Sequence, residues 1–109
     1  MPEPYDPQTA VAKIREILLG DGYLKIRDHC YIRMGERTID DLDIQRVLLE
    51  NSEIYSKPEW DKKHQKYKYS IDGYDTENEK IRVIVNIVEE SWCVVAISAI
   101  AKDWKGVKK

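Results

Sequence analysis

The chain has 109 residues, room for one core and too few for a second that could stand alone. Hydrophobic residues make up 42% and charged residues 35%, a globular balance that excludes a disordered chain. A net charge of −2 argues against nonspecific nucleic-acid binding by the whole surface.

Residues 1–8 hold three of the four prolines and are expected to form a flexible arm ahead of a single α+β domain over 9–101. Thr9 is a suitable N-cap for a first helix whose apolar stripe is Ala10, Ile14, Ile17 and Leu18, stopped by Gly20-Asp21-Gly22. Tyr23–Arg27 alternates as a short edge strand does. Asp28 opens a short helix to Arg37, and Thr38 a further one, with Asp41 as its capping-box partner and Ile44, Val47 and Leu48 as its buried face. The period then drops to two. Glu53–Lys57 is a candidate strand, followed by a charged loop with Trp60. Tyr67, Tyr69 and Ile71 mark a strand with one wet face, which Asp72-Gly73 is expected to turn. Ile81–Val88 and Trp92–Ile100 are apolar on both faces and so central in the sheet. Short connections make these three an antiparallel meander. The predicted fold is therefore α+β, with N-terminal helices packed on a C-terminal antiparallel sheet of three to four strands. A basic tail follows over 102–109.

Cys30 and Cys93 are too few for a disulfide framework or a zinc ribbon, and their apolar surroundings suit buried thiols in a reducing, cytoplasmic compartment. No run of about 18 apolar residues is present, so no membrane span is expected. Nor does Met1–Pro7 have the basic-then-apolar order of a secretory leader.

Charge is unevenly spread. Five lysines against Glu59 and Asp61 leave +3 over Lys57–Lys68, whereas five carboxylates against Arg46 leave −4 over Asp40–Glu53. One side suits a phosphate-bearing ligand and the other a basic partner; a mixed solvated surface would read the same.

The most informative run is Asp28–Ile39. On a helix, His29, Arg33 and Arg37 stand at i, i+4 and i+8 on one stripe. An imidazole beside two guanidiniums can move a proton near neutral pH while phosphate is held, which is what metal-free phosphodiester cleavage needs. The plainer alternative pairs the arginines with Glu36, Asp40 or Asp41 on a solvated face. Lys63, His64, Lys66 and Lys68, interleaved with Tyr67 and Tyr69, suit contacts to RNA phosphates and bases, or else form a strand's wet face. Two isolated histidines make a poor metal site, and no phosphate loop or nucleophile elbow is present, so no metal or cofactor is expected.

The motif His29–Arg33-Met34–Glu36-Arg37–Ile39, followed by Asp43-Ile44, a helix and three strands, resembles the prokaryotic family known as domain of unknown function 4258, over about Ile14–Ile100. That family looks related to the MqsR-type and RelE-type mRNA interferases, compact α+β toxins. The resemblance implies the toxin of a type II toxin–antitoxin pair, cutting mRNA without a cofactor by attack of the 2′-hydroxyl. His29, Arg33 and Arg37 would form the catalytic group, with Tyr69 a further candidate and Lys63, His64, Lys66 and Lys68 gripping RNA. The implied partners are mRNA and an antitoxin, often one with a zinc-ribbon domain. The alternative is a non-catalytic binding module, an inactive relative that pairs with an antitoxin or regulator.

Overall fold

The computed structural model describes residues 3–37, 39–50, 53–54 and 57–101. The expected basic tail and the Thr38 cap lie outside them.

Helix α1 spans Pro7–Leu19, starting two residues before the expected Thr9. Asp6 is the N-cap and accepts from the Thr9 backbone N–H at 2.8 Å. Pro7 takes the first helical position, where a missing N–H costs nothing. Ala10, Ile14 and Ile17 are its buried stripe. The turn after it passes close under the core: a Cβ on Gly22 would lie 2.3 Å from Ile17 Cγ2 and 2.4 Å from the Trp92 carbonyl oxygen, so only glycine fits.

Strand β1 (Tyr23–Ile26) leads into α2 (Asp28–Arg37) and α3 (Asp41–Leu49). The cap of α3 is a reciprocal box between Asp40 and Asp43, shifted from the Thr38–Asp41 pair the spacing suggested. Asp43 can fill both roles because its second oxygen accepts from Thr76 N and Oγ1, each at 2.9 Å, tying the helix start to the sheet.

Strands β2 (Glu53–Ile54), β3 (Glu59–Asp61), β4 (Lys66–Tyr74), β5 (Lys80–Val88) and β6 (Cys93–Ala101) complete a six-stranded sheet in the order β1-β6-β5-β4-β2, with β3 pairing the first half of β4. The fold is α+β, as expected, but the sheet is larger than three to four strands and mixed rather than antiparallel. The additions are β3 and the expected edge strand β1, which joins the sheet by pairing in parallel with β6 from Tyr23↔Cys93 to Ile26↔Ala96. Local turn signals could reveal only the meander β4-β5-β6.

Two local readings are also corrected. Asp72-Gly73 lies within β4, not at its turn: Asp72 accepts from Arg82 Nε across the sheet at 2.7 Å, and Gly73 stands opposite Ile81. The turn falls at Asp75–Glu79, where Asp75 Oδ1 accepts from the backbone of Glu77 and Glu79, and Asn78 takes φ 66°. Trp60 is in β3, not a loop, its ring meeting Tyr67 edge-on at 5.0 Å.

One face of the sheet carries Tyr69, Ile71, Val83, Val85, Val94 and Ala96 into a single core with Ile14, Ile17, Cys30, Met34, Ile44 and Leu48 of the helices. A bulge keeps that face continuous. Val85 pairs Ala96 but Ile84 pairs Ser98, so Ile97 is the extra residue and Ala99, opposite Val83, returns to the core. The other face holds the Asp72–Arg82 pair and buried Asn86, whose Nδ2 donates to the Tyr67 carbonyl. No described helix is long and apolar enough to cross a membrane.

Candidate functional site

Helix α2 is anchored through Cys30 and Met34, one turn apart and buried against the sheet. That spacing turns the neighbouring stripe outward. His29 is exposed and Arg33 half-exposed, and Arg33 Nε donates to His29 Nε2 at 3.3 Å. Accepting that bond makes Nε2 the unprotonated nitrogen of the ring. Arg33 Nη1 lies 3.5 Å from Glu36 Oε1, a pair of the kind the plainer reading anticipated. Arg37 ends the helix, and its side chain lies outside the described residues. The stripe thus carries an imidazole and an adjacent guanidinium at the surface, the guanidinium holding the ring's lone pair until a phosphate draws it away. That is the minimum for moving a proton beside a bound phosphate.

Tyr69 does not join it. The sheet order puts β5 between β4 and β6, while α2 packs on β6. Tyr69 is only 4% exposed, and its hydroxyl accepts from the Tyr5 backbone N–H at 3.0 Å. Burial pushes its phenol above the ordinary value. It lines instead a cavity of about 250 Å³ with Tyr5, Trp60, Gln65, Lys66 and Tyr67.

The polar end of this cavity escaped the sequence reading. The Tyr5 hydroxyl donates to the Glu89 carboxylate, which also lies 3.4 Å from Lys13 Nζ. That hydrogen bond, with burial, pushes the Tyr5 phenol up to about 12, and it holds Glu89 below the usual carboxylate range. Tyr5 and Glu89 are 84 residues apart, so no local pattern could have joined them.

The lysine-rich segment is already engaged. Lys66 Nζ lies 2.6 Å from Glu90 Oε2, and Lys68 Nζ 3.7 Å from Glu59 Oε1. His64 Nδ1 meets Asp61 Oδ2 at 2.7 Å; burial works against the Asp61 carboxylate, but this contact and the backbone hydrogen bonds of His64 and Lys63 together outweigh it and hold the group below its ordinary value. The Lys63 backbone N–H donates to the same carboxylate, and Gln65 takes φ 55° to close the turn. Four residues expected to grip RNA therefore share one hairpin, with Lys66 and Lys68 in ion pairs and the His64 ring hydrogen-bonded to Asp61. Among the described residues no three His, Cys, Asp or Glu side chains converge as a metal site requires.

The family model described as domain of unknown function (DUF4258) matches residues 26–99, from the end of β1 through most of β6. No curated protein matches the chain, and no solved structure does.

Proposed function

The chain belongs to the DUF4258 family, and from that premise we propose that it is a metal-independent endoribonuclease, the toxin of a type II toxin–antitoxin pair. The observation that carries this reading is the exposed His29–Arg33 pair on α2. In the step proposed, Arg33 turns its Nε–H from His29 Nε2 to the bound phosphate, and the freed Nε2 takes the proton of an RNA 2′-hydroxyl whose oxygen attacks the adjacent phosphorus. The bond from phosphorus to the 5′-oxygen breaks, water supplies that oxygen's proton, and a 2′,3′-cyclic phosphate remains. Arg33 and Arg37 hold the non-bridging oxygens as charge builds on them. Tyr69 is left out of this step because its hydroxyl is buried and already accepting from Tyr5. Its hydrogen bond serves packing.

The test is cleavage of a long single-stranded RNA by the purified protein in EDTA, alone and with ribosomes. His29→Ala and Arg33→Ala should each lower the rate about 100-fold or more, with circular dichroism unchanged. Tyr69→Phe should stay within about threefold, the margin left for a small loss of stability. Wild-type cleavage by His29→Ala would end this reading.

A second reading, a non-catalytic relative that pairs with an antitoxin or regulator, is favoured by the ion pairs of Lys66 and Lys68, which leave less positive charge for phosphate. It predicts no RNA turnover, and RNA affinity without the salt slope of about −0.7 per phosphate contact on a single strand.

A further inference from the structure

Large apolar side chains that remain exposed in a small domain are informative when they cluster. Six do so among the described residues: Leu19, Tyr23, Tyr31, Ile32, Leu42 and Tyr74. Four of them gather at one place. Tyr23 and Tyr31 line a groove of about 270 Å³ with Leu18, Leu24, Ile26 and Leu49. Leu19 adjoins Leu18, and Leu42 precedes the lining residues Gln45 and Leu49 at i+3 and i+7, on the same helical stripe. Leu42 is 63% exposed and Leu19 72%, exposures that a helix of a closed core would not leave in one neighbourhood.

The floor of this groove is β1, the outermost strand of the sheet, hydrogen-bonded to β6 on one side. The opposite edge offers its main-chain donors and acceptors outward, the template for an added strand. The rim is acidic. Asp41 lines the groove, and Asp21 and Asp28, at the two ends of β1, are exposed. Lys25 alternates onto the other face of the strand.

We propose that this groove is a docking site for an extended segment of a partner protein, one that adds a strand to β1, seats alternate apolar side chains on Leu24, Ile26, Tyr31 and Leu49, and turns basic side chains at its two ends to Asp21, Asp28 and Asp41. Main-chain pairing supplies affinity, the groove selects for apolar bulk, and the carboxylates reject acidic segments. The site stands apart from His29 and Arg33, neither of which lines it. It is independent of whether RNA is cut.

The experiment uses the full chain and a labelled nine-residue peptide with valines at alternate positions of an uncharged valine–threonine centre and two lysines at each end, its counterpart carrying glutamates in place of the lysines. Fluorescence anisotropy should show the lysine peptide binding at least about tenfold more tightly, from three surface charge pairs together. Hydrogen exchange should slow at residues 23–26 on binding. Asp41→Lys and Leu42→Glu, both at exposed positions, should each weaken the lysine peptide by about threefold or more without unfolding the chain. Equal affinity for the two peptides, no binding by about 1 mM, or protection at β2 or β3 instead of β1 would overturn the proposal. So would concentration-dependent self-association that protects residues 23–26, which would make the occupant a second copy of this chain.

Discussion

Replacing Asp43 tests how the helical layer is fastened to the sheet. Its carboxylate is 5% exposed and accepts from Asp40 N at 2.9 Å, and from Thr76 N and Oγ1, both at 2.9 Å. Losing half of a capping box costs about 1 kcal/mol. Hydrogen bonds to a charged acceptor contribute about 1.5–3 kcal/mol each, but Thr76 is exposed and water would replace much of its share. Asp43→Ala should therefore cost about 3 kcal/mol. Asp43→Asn keeps the contact to Thr76 but turns an amide donor toward the Asp40 N–H, and should cost about half as much. In urea with m near ~1.5 kcal/mol/M, the alanine variant's midpoint should fall by about 2 M.

The same site sets an acid limb. Burial works against the Asp43 carboxylate, but hydrogen bonds from Thr76 and Asp40 outweigh it and hold the group below its ordinary value. A folded-state pKa below the unfolded one gives stabilisation that is complete above the unfolded value and is lost as pH falls through the folded one. The gap between wild type and Asp43→Asn should be constant above about pH 5 and close below about pH 4. A cost under about 0.5 kcal/mol for the alanine variant, or a gap that ignores pH, would refute the reasoning.

Gly35 sits inside α2 where an added Cβ meets nothing within 4 Å, so Gly35→Ala should stabilise by about 0.5–1 kcal/mol. Differential scanning calorimetry should show Tm rising by about 3–6 °C, and an unchanged Tm would mean the helix is not formed there. Cys30 is wholly buried, and that burial, aided by the Asp41 carboxylate, pushes its thiol up to about 11. At pH 8 it should react with Ellman's reagent only as fast as the protein unfolds, whereas denaturant should expose Cys30 and Cys93 together. Fast native labelling of Cys30 would show α2 lifting from the sheet.

The readable parts of this fold are those written at short range. Cys30 reads as buried from its apolar surroundings, and it is, whereas the outward turn of His29 is settled only by Cys30 and Met34 docking α2 on the sheet. The β5–β6 pair declares itself by β-branched residues and the Glu89–Ser91 turn. What was missed is held by distant partners. Asp72-Gly73 has the composition of a turn, yet Arg82 claims the aspartate and keeps the pair in β4. Three early prolines look like an arm, yet Tyr5 reaches Tyr69 with its backbone N–H and Glu89 with its hydroxyl, fastening the segment ahead of α1. Tyr69 looked available beside the lysines, but a contact from Tyr5, 64 residues away, occupies its hydroxyl. The groove beside β1 depends on a parallel pairing that no neighbouring residue announces.

That pairing also orders events during synthesis. β6 is the last described strand to leave the ribosome, yet β1 on one flank and β5 on the other both pair with it. Tyr23 must wait for Cys93, 70 residues later, before its strand has a neighbour. Contacts so far apart close slowly and only once the intervening chain is present. β1 therefore cannot join the sheet until β6 has emerged, although β4 and β5 can pair before it. A message broken or stopped ahead of the Cys93 codon yields a polypeptide in which β1 has no neighbour and β5 keeps one edge open.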